Sequence, residues 1–353
     1  MLKFRRILIV RTDRIGDVIL TLPMAHVLKK QFPSVHIAML IQRYTEELVE
    51  DNPMVDQILF YDDGEKPLPF FHLVASLRAQ RFDIVFHTHP RFRVALITWI
   101  AGIPVRVGSG YRWYSFLFNK KMFEHRKDAQ RSELQYNLNL LTAIDCSYDS
   151  MDITPVLEVK PQVLDKVRAL LTNLGIQKTH RLVIIHPGSG GSARDWSARN
   201  FGLLGKRLSE IPRVKIFITG GKNEDNIVSE VQDIVGKNAV TILNQLNLRE
   251  CAALAKLSSL FIANSTGPLH IAAAVGTPVV GLYSHVTPMS AARWGPYTEK
   301  KTILSPHNKP IDCRKCLGKQ SGGCECMDSI TVDEVYQAAL TYLIEKQPKA
   351  IAS

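Results

Sequence analysis

The sequence predicts an α/β protein built from two similar units in tandem. Apolar, strand-like runs alternate with helical patterns almost from end to end, which is typical of parallel sheets with helical crossovers. The alternation is interrupted once, over residues 152–162, where two prolines and little periodicity indicate a linker. A length of 353 residues also favours two domains over one. We therefore expect a cleft between two units, where ligands usually bind.

Strands are expected wherever a short apolar run is bounded by turn residues. In the first unit these runs are residues 6–11, 35–40, 56–61, 83–87 and 105–108, with helical patterns at 24–32, 70–80 and 133–144. In the second unit they are residues 181–186, 214–220, 239–243, 260–264 and 278–284, with helical patterns at 200–210 and 248–257. The predicted domains are residues 1–155 and 163–330, followed by an amphipathic helix within 331–346 that is expected to pack near the domain junction.

The charge of the chain is unevenly distributed. Lys and Arg outnumber Asp and Glu by 44 to 33, and between Arg81 and Arg131 ten basic residues face only three acidic ones. This segment should prefer an anionic partner. Since no nucleic-acid module accompanies it, nucleic acid is not the expected partner. The apolar start of four residues is too short for a signal peptide, and the run 94–105 is shorter than the ~20 residues that cross a bilayer, so a cytoplasmic protein, soluble or resting on a membrane surface, is expected.

The first motif, RTDRIGDV at residues 11–18, places Asp17 in the turn between the first strand and its helix. One interpretation is an N-cap, in which the carboxylate accepts bonds from the first helical amides. The other is a general base at the carboxyl edge of a parallel sheet, which would take a proton from a substrate hydroxyl. A helix N-terminus would lower the pKa of Asp17 and weaken such a base.

The second motif, HPGSGGSARDW at residues 186–196, also follows a strand and precedes a helix. Its glycines and serines leave backbone amides to cradle an anion, and Arg194 adds a charge-assisted contact. The alternative is a plain flexible loop. The motif matches neither the dinucleotide fingerprint nor the P-loop, which argues against a dehydrogenase or a P-loop ATPase.

The third motif, NSTGPLH at residues 264–270, forms another predicted turn from strand to helix. The hydroxyls of Ser265 and Thr266 and the amide of Gly267 would point at a ligand from a helix N-terminus. His270 lies about one turn into that helix and would either face the same ligand or make a structural hydrogen bond.

Together with the closing stretch CMDSIT at residues 326–331, these motifs resemble glycosyltransferase family 9, the bacterial heptosyltransferases of the lipopolysaccharide core, over nearly the whole chain. The resemblance implies a GT-B fold with two Rossmann-like domains facing a central cleft. It implies inverting transfer of heptose from ADP-L-glycero-D-manno-heptose to Kdo-lipid A or heptosyl-Kdo-lipid A, at the inner face of the inner membrane.

The resemblance also assigns roles to residues. Asp17 falls on the general base of the family. The expected donor and diphosphate contacts are His186, Gly188, Ser189, Arg194, Ser265, Thr266, Gly267 and His270. The basic segment, in which cations alternate with aromatic residues, would bind the anionic glycolipid acceptor. Its expected contacts are Arg14, Arg91, Arg93, Arg112, Lys120 and Lys121, with Arg106, Arg126 and Lys127 in the same segment.

Two positions depart from the family pattern. Arg194 stands where many members carry Lys, and Ser265 stands where many carry Asp. Loss of that carboxylate removes an acceptor for sugar hydroxyls, so the chain is also compatible with a different nucleotide-sugar donor.

No cofactor is expected to be required, although Mg²⁺ could bind the donor diphosphate. The cysteines Cys313, Cys316, Cys324 and Cys326 have a spacing that four zinc ligands or an iron–sulfur cluster could use. They raise a rival hypothesis, that the protein is a metal-binding interaction module. Bound zinc is not favoured. If zinc were bound there, its role would be structural.

Overall fold

The computed structural model describes residues 4–148, 153–307 and 325–344. The chain divides into two compact units, Met1–Pro155 and Val156–Ser353. Each unit contains one six-stranded parallel sheet with helices between successive strands. The α/β class expected from the sequence is therefore confirmed.

The first sheet is centred on a strand that is apolar on both faces. Ile7, Leu8, Ile9 and Val10 are completely buried, as expected for a parallel strand covered by helices on either side. The strands lie in the order β3-β2-β1-β4-β5-β6. They are β1 (Arg6–Arg11), β2 (His36–Ile41), β3 (Gln57–Phe60), β4 (Ile84–His87), β5 (Val105–Ser109) and β6 (Lys120–Met122). The helices are α1 (Ile15–Ile19), α2 (Leu22–Gln31), α3 (Phe70–Gln80), α4 (Phe92–Ile100) and α5 (Glu133–Asn139).

The second sheet repeats this arrangement, in the order β12-β11-β10-β7-β8-β9. Its strands are β7 (Arg181–His186), β8 (Val214–Gly220), β9 (Ala239–Leu243), β10 (Leu260–Asn264), β11 (Val279–Leu282) and β12 (Lys301–Leu304). The helices are α6 (Pro161–Asn173), α7 (Ala198–Ser209), α8 (Asp225–Val235), α9 (Leu248–Leu257), α10 (Gly267–Ala274), α11 (Ala291–Trp294) and α12 (Val332–Ile344).

Counted within its own unit, each sheet has the strand order 3-2-1-4-5-6 of a Rossmann fold. The first and fourth strands are therefore neighbours: β1 pairs with β4, and β7 pairs with β10. Because all strands are parallel, the loops that follow these paired strands lie side by side at the carboxyl edge of the sheet.

Several elements were not placed by the sequence analysis, among them two edge strands and helix α6. Strands β6 and β12 lie at sheet edges, and the exposed Lys120, Lys121 and Lys301 interrupt the apolar pattern that marks a buried strand. Helix α6 begins at Pro161, so residues 161 and 162 belong to a helix and not to the linker. A proline is well suited to a first helical position because its fixed φ matches the helix and its missing N–H is not needed there.

The closing motif has a structural role in the second unit. The indole N–H of Trp196 donates to the carbonyl of Ile330 at 2.8 Å, and Met327 is completely buried in the same core. Asp328 accepts a bond from the backbone of Ser197 at 3.1 Å, at the start of α7. Helix α12 packs on α7 and on strands β10 and β11 of its own unit.

Candidate active site

In the first unit, the RTDRIGDV turn directs Asp17 to the carboxyl edge of the sheet. Strand β1 ends at Arg11 and helix α1 begins at Ile15, so the motif spans the strand end and the first helical turn. The N-cap position is occupied by Arg14, and Asp17 is the third residue of the helix. The N-cap interpretation of Asp17 is therefore wrong, because its carboxylate is bonded to Arg11.

Arg11 is completely buried and holds three carboxylates around its guanidinium group. Its Nη2 contacts Asp17 Oδ1, its Nε lies 2.7 Å from Asp13 Oδ1, and its Nη1 lies 3.0 Å from Glu133 Oε1. Glu133, at the start of α5, also accepts from Arg126 Nη1 at 2.6 Å. The position of Asp17 is thus set by buried charges contributed from distant parts of the unit.

This environment changes the acidity of Asp17 in the direction opposite to the one expected. Burial raises the pKa of the Asp17 carboxyl, and the neighbouring carboxylates of Asp13 and Glu133 add to that effect, while Arg11 opposes it. The helix N-terminus was expected to lower this pKa. Desolvation is the larger effect here because the side chain is almost enclosed, and it strengthens Asp17 as a base.

His89, which sequence reasoning missed, joins the same site. It follows β4, the neighbour of β1, and its Nδ1 lies 3.1 Å from Asp13 Oδ2. Burial, aided by Arg11 and Arg91, lowers the pKa of His89 to about 4, so the imidazole is neutral at neutral pH. The signal that could have found it is the strand order, since residues that follow strands one and four of a Rossmann sheet meet.

The basic residues expected at the acceptor fall into two groups. Arg14, Arg91, Arg112, Lys120, Lys121 and Lys127 are exposed. The others are used within the unit.

Arg93 donates to the carbonyl of Leu68 at 2.5 Å and lies over the Tyr61 ring. Arg106 donates to the carbonyl of Leu117 at 2.8 Å. Arg126 is paired with the buried Glu133. The sequence shows a run of cations, but not which of them have internal partners.

In the second unit, Asn264 at the end of β10 forms hydrogen bonds with both ends of the glycine-rich loop, residues 186–196. Its Nδ2 donates to the carbonyl of Pro187 at 2.7 Å, and its Oδ1 accepts from the backbone N–H of Trp196 at 3.0 Å. The Ser192 hydroxyl also donates to the carbonyl of Ser265 at 3.1 Å. The second and third motifs are thus brought together, as neighbouring loops after β7 and β10.

The glycine-rich loop already binds a carboxylate, that of Glu224. Its Oε1 accepts from the Gly190 N–H at 3.0 Å, and its Oε2 accepts from the Gly221 N–H at 2.6 Å. Gly188 is required by this contact, because a Cβ there would lie 2.0 Å from Glu224 Oε1. The expectation that these amides are left open for a ligand is therefore wrong for Gly190. The loop does bind an anion, but the anion belongs to the protein.

His186 ends β7 beside this carboxylate. Its Nδ1 lies 2.9 Å from the Thr219 hydroxyl, and its Nε2 lies 3.6 Å from Glu224 Oε2. Burial lowers the pKa of His186, whereas Glu224 opposes the shift. A neutral imidazole with these partners fixes the end of the strand.

The third motif forms the N-terminus of α10. Thr266 is the N-cap residue and Gly267 the first helical residue. Ser265, Thr266 and His270 are all buried. The turn therefore places compact polar groups, without a carboxylate, next to the glycine-rich loop.

Arg194 and Asp195 are buried side by side just before Trp196. Burial raises the pKa of Asp195 to about 6, with Glu224 adding to the shift and Ser189 and Arg194 opposing it. Asp195 was not among the residues singled out from the sequence. Burial is the main cause of its raised pKa, and the smaller contribution of Glu224 comes from a part of the chain that no sequence pattern could place beside it.

Within the described ranges, no group of three or more His, Cys, Asp and Glu side chains is arranged to hold a metal ion. The hypothesis that four cysteines bind a metal concerns residues that the structure does not describe, since Cys313, Cys316 and Cys324 lie outside the described ranges. None of the helices in the described part of the chain is long and apolar enough to cross a membrane.

The pairing of Arg126 with Glu133 leads to a stability prediction. Arg126→Met removes one of the cations paired with the buried Glu133, so we expect a loss of about 1.5–3 kcal/mol in the free energy of unfolding. Lys127→Met, at the exposed neighbouring position, should change it by less than about 0.5 kcal/mol. Urea denaturation measures both, and equal stabilities of the two variants would contradict the structural role of Arg126.

Asp195 leads to a pH prediction. Its raised pKa means that the folded state holds the proton more tightly than the unfolded state, so stability should fall as the pH rises from about 4 to about 6. Asp195→Asn removes this dependence and should be more stable than the wild type above pH 6, by at most about 3 kcal/mol, with no advantage at pH 4. Thermal unfolding across this range tests it, with Asp233→Asn, an exposed position on α8, as control. If Asp195→Asn were more stable than the wild type by the same amount at pH 4 and above pH 6, burial of the charge would not be the cause.

Comparison with known proteins gives a consistent result. The sequence profile of glycosyltransferase family 9 (heptosyltransferase) matches residues 70–322. A putative glycosyltransferase of Haemophilus influenzae is 28% identical over 303 residues, which cover 83% of this chain and 86% of that protein. Lipopolysaccharide heptosyltransferase 3 of Escherichia coli is 26% identical over 277 residues, covering 76% of this chain and 80% of that protein.

Solved structures agree on the fold. A glycosyl transferase family 9 protein from Veillonella parvula superposes with a TM-score of 0.82 at 23% identity, covering 97% of this chain and 98% of that one. E. coli heptosyltransferase WaaC with ADP-2-deoxy-2-fluoro heptose gives a TM-score of 0.66 at 15% identity, covering 95% and 99%. These similarities confirm a GT-B fold with two Rossmann-like domains. Since the family profile matches well over half of the sequence, the chain belongs to glycosyltransferase family 9, the heptosyltransferases.

Proposed function

We propose that this glycosyltransferase moves heptose from ADP-L-glycero-D-manno-heptose to the inner core of lipopolysaccharide, with inversion at the anomeric carbon. The acceptor would be Kdo-lipid A or heptosyl-Kdo-lipid A. Family membership and the named relatives support heptosyl transfer. The donor is supported by the structural similarity to WaaC, whose structure was determined with an ADP-heptose analogue.

The observation that carries the mechanism is the carboxylate of Asp17, which is fixed by Arg11 at the carboxyl edge of the first sheet. Arg11 contacts Oδ1, and we assign Oδ2 to the acceptor hydroxyl. As that oxygen attacks the anomeric carbon, its proton would move to Asp17 and the bond from the anomeric carbon to the diphosphate would break. Burial supports this role, because a raised pKa makes the carboxylate a stronger base.

The donor would lie on the second unit, against the two neighbouring loops. We assign its contacts to His186, Gly188, Ser189, Arg194, Ser265, Thr266, Gly267 and His270. Arg194 and the loop amides would stabilise the negative charge that develops on the departing ADP. This arrangement supplies the positive charge that a divalent ion provides in other transferases, so no metal is required in the proposed mechanism.

The acceptor would bind the basic residues of the first unit. We assign its anionic groups to Arg14, Arg91, Arg93, Arg112, Lys120 and Lys121, of which Arg93 is already held by the carbonyl of Leu68. The exposure of the other five supports this assignment. With an acceptor anchored in that membrane, the enzyme would work at the inner face of the inner membrane.

The base assignment is tested by Asp17→Asn. We expect turnover to fall by about 10²–10⁴-fold, with ADP binding unchanged, because the donor loops belong to the other unit. Asp128→Asn, an exposed carboxylate of the same unit, should keep full activity. If Asp17→Asn retains near-normal turnover, Asp17 is not the base, and His89 with Asp13 is the next pair to examine.

Ser265 supports a second candidate, transfer from another nucleotide-sugar, because the buried turn lacks the carboxylate that many members place there. A thermal-shift screen against ADP-, UDP- and GDP-sugars separates the two. ADP-heptose at 100 times its dissociation constant should stabilise the protein by about 2.7 kcal/mol. The other nucleotide-sugars at the same concentration should stabilise it by less. A larger shift with a UDP-sugar would refute the heptose donor and leave the fold assignment unaffected.

A further inference from the structure

The segment from Tyr111 to Phe123 carries aromatic side chains in two different environments. Tyr114 and Phe118 are buried. Other rings of the segment are left in solvent, together with one from the start of α4. These exposed residues, which we call the aromatic surface, are Phe92 (40% exposed), Tyr111 (49%), Trp113 (73%), Phe116 (67%) and Phe123 (63%).

The exposure of these rings is not caused by a loosely attached loop. The Tyr114 hydroxyl donates to the carbonyl of Pro90 at 2.6 Å, and Tyr114, Leu117 and Phe118 form a small core with Ala95. The Phe118 ring also fits against Gly108, where a Cβ would meet it at 2.7 Å. The buried residues hold the segment in place, and the exposed ones are presented from a fixed backbone.

Four of the exposed rings contact one another in two pairs. The ring centroids of Phe92 and Trp113 are 4.8 Å apart, and those of Tyr111 and Phe123 are 5.5 Å apart. Tyr111 and Trp113 are separated by a single residue, and Phe116 follows in the short 3₁₀ turn Ser115–Leu117. The aromatic surface therefore consists of two contacting ring pairs and Phe116, all exposed on segments that follow neighbouring strands, and exposed apolar side chains gathered in this way often mark a binding surface.

Basic residues alternate with these rings along the chain. The flanking cations, all exposed, are Arg91, Arg112, Lys120, Lys121 and Lys127. Of the acidic residues nearby, Glu124 is paired with Arg131 at 2.8 Å, which leaves Asp128 as an exposed carboxylate of this segment. A second copy of the chain would bring like charges together here, so self-association on this face is disfavoured. Aromatic rings that alternate with Lys and Arg instead match the interface of an anionic bilayer, where rings sit at headgroup depth and cations bind the headgroups.

The aromatic surface lies at the same edge of the sheet as the proposed base. Strands β4, β5 and β6 run parallel to β1 and end at His87, Ser109 and Met122, just before the segments that carry Phe92, Tyr111 and Phe123. Asp17 follows the carboxyl end of β1. Docking through this patch would hold the acceptor side of the first unit towards the membrane.

We propose that the aromatic surface docks the protein on a bilayer of anionic phospholipid, with its rings in the headgroup interface. The identity of the membrane rests on the proposed function, since the acceptor is a glycolipid. The docking itself needs neither donor nor acceptor, and it can be measured alone.

The test is vesicle co-sedimentation of the full chain with phosphatidylglycerol-containing or pure phosphatidylcholine vesicles. Trp113→Ser/Phe116→Ser should weaken binding to the anionic vesicles at least tenfold. The matched control is Trp99→Ser/Phe71→Ser, which removes the same residue types from exposed positions (51% and 78%) elsewhere in the unit and should leave binding within twofold. Thermal unfolding of both variants verifies that they are folded. Equal loss in the two variants, or equal binding of the wild type to both vesicle types, overturns the proposal.

Activity assays separate docking from sugar recognition. The Trp113→Ser/Phe116→Ser variant should lose activity on a vesicle-embedded acceptor and keep it on a deacylated, water-soluble acceptor. Loss on both acceptors with vesicle binding intact would assign these rings to the acceptor sugar and overturn the proposal. Vesicle binding that depends on this patch, without heptosyl transfer to either acceptor, would instead reject the proposed function and leave the docking surface standing.

Discussion

The candidate residues of each unit depend on one constraint, the pairing of the first and fourth strands in its parallel sheet. In the first unit Val10 lies beside His87, and in the second Ala263 lies beside His186. The chain leaves both strands of a pair at the same edge, so the loops that follow must meet. Asp13 reaches His89 in this way, and Asn264 reaches Pro187. Two loops that differ in sequence thus occupy equivalent positions of one topology, the switch point where Rossmann folds bind ligands.

The buried guanidinium of Arg11 gathers three carboxylates at the first of these positions. Arg11 and Arg126 carry two positive charges, against three negative charges on Asp13, Asp17 and Glu133. The cluster is therefore one charge short of neutral when all three carboxylates are ionised. Removing it from water makes that excess costly, which is why the pKa of Asp17 rises despite its contact with Arg11. A proton taken up by one of the three carboxylates would make the cluster neutral.

The sequence was sufficient to predict the parts of this structure whose cause is local. Strands β1 and β7 are apolar runs because both faces are covered, and helices α3 and α9 begin and end where their periodicity does. Edge strand β6 has no such pattern, since its lysines face solvent.

The sequence did not predict which charged residues meet when the chain folds. Glu133 is 122 residues from Arg11, and Glu224 is 34 residues from Gly190. The environment of Asp17 and the occupant of the glycine-rich loop both depend on such distant partners. Only the strand order, had it been assumed, would have placed His89 beside Asp13.

The contact between Glu224 and the glycine-rich loop means that any anion binding at the Gly190 amide would have to displace this carboxylate. The carboxylate is tethered to the chain and therefore always present at high local concentration. A small anion that made only this one contact would bind the Gly190 amide no better than the Glu224 carboxylate does. A diphosphate that also reached Arg194 would gain from the exchange. Under the proposed function, the loop would therefore select anions by the number of contacts they make and not by charge alone.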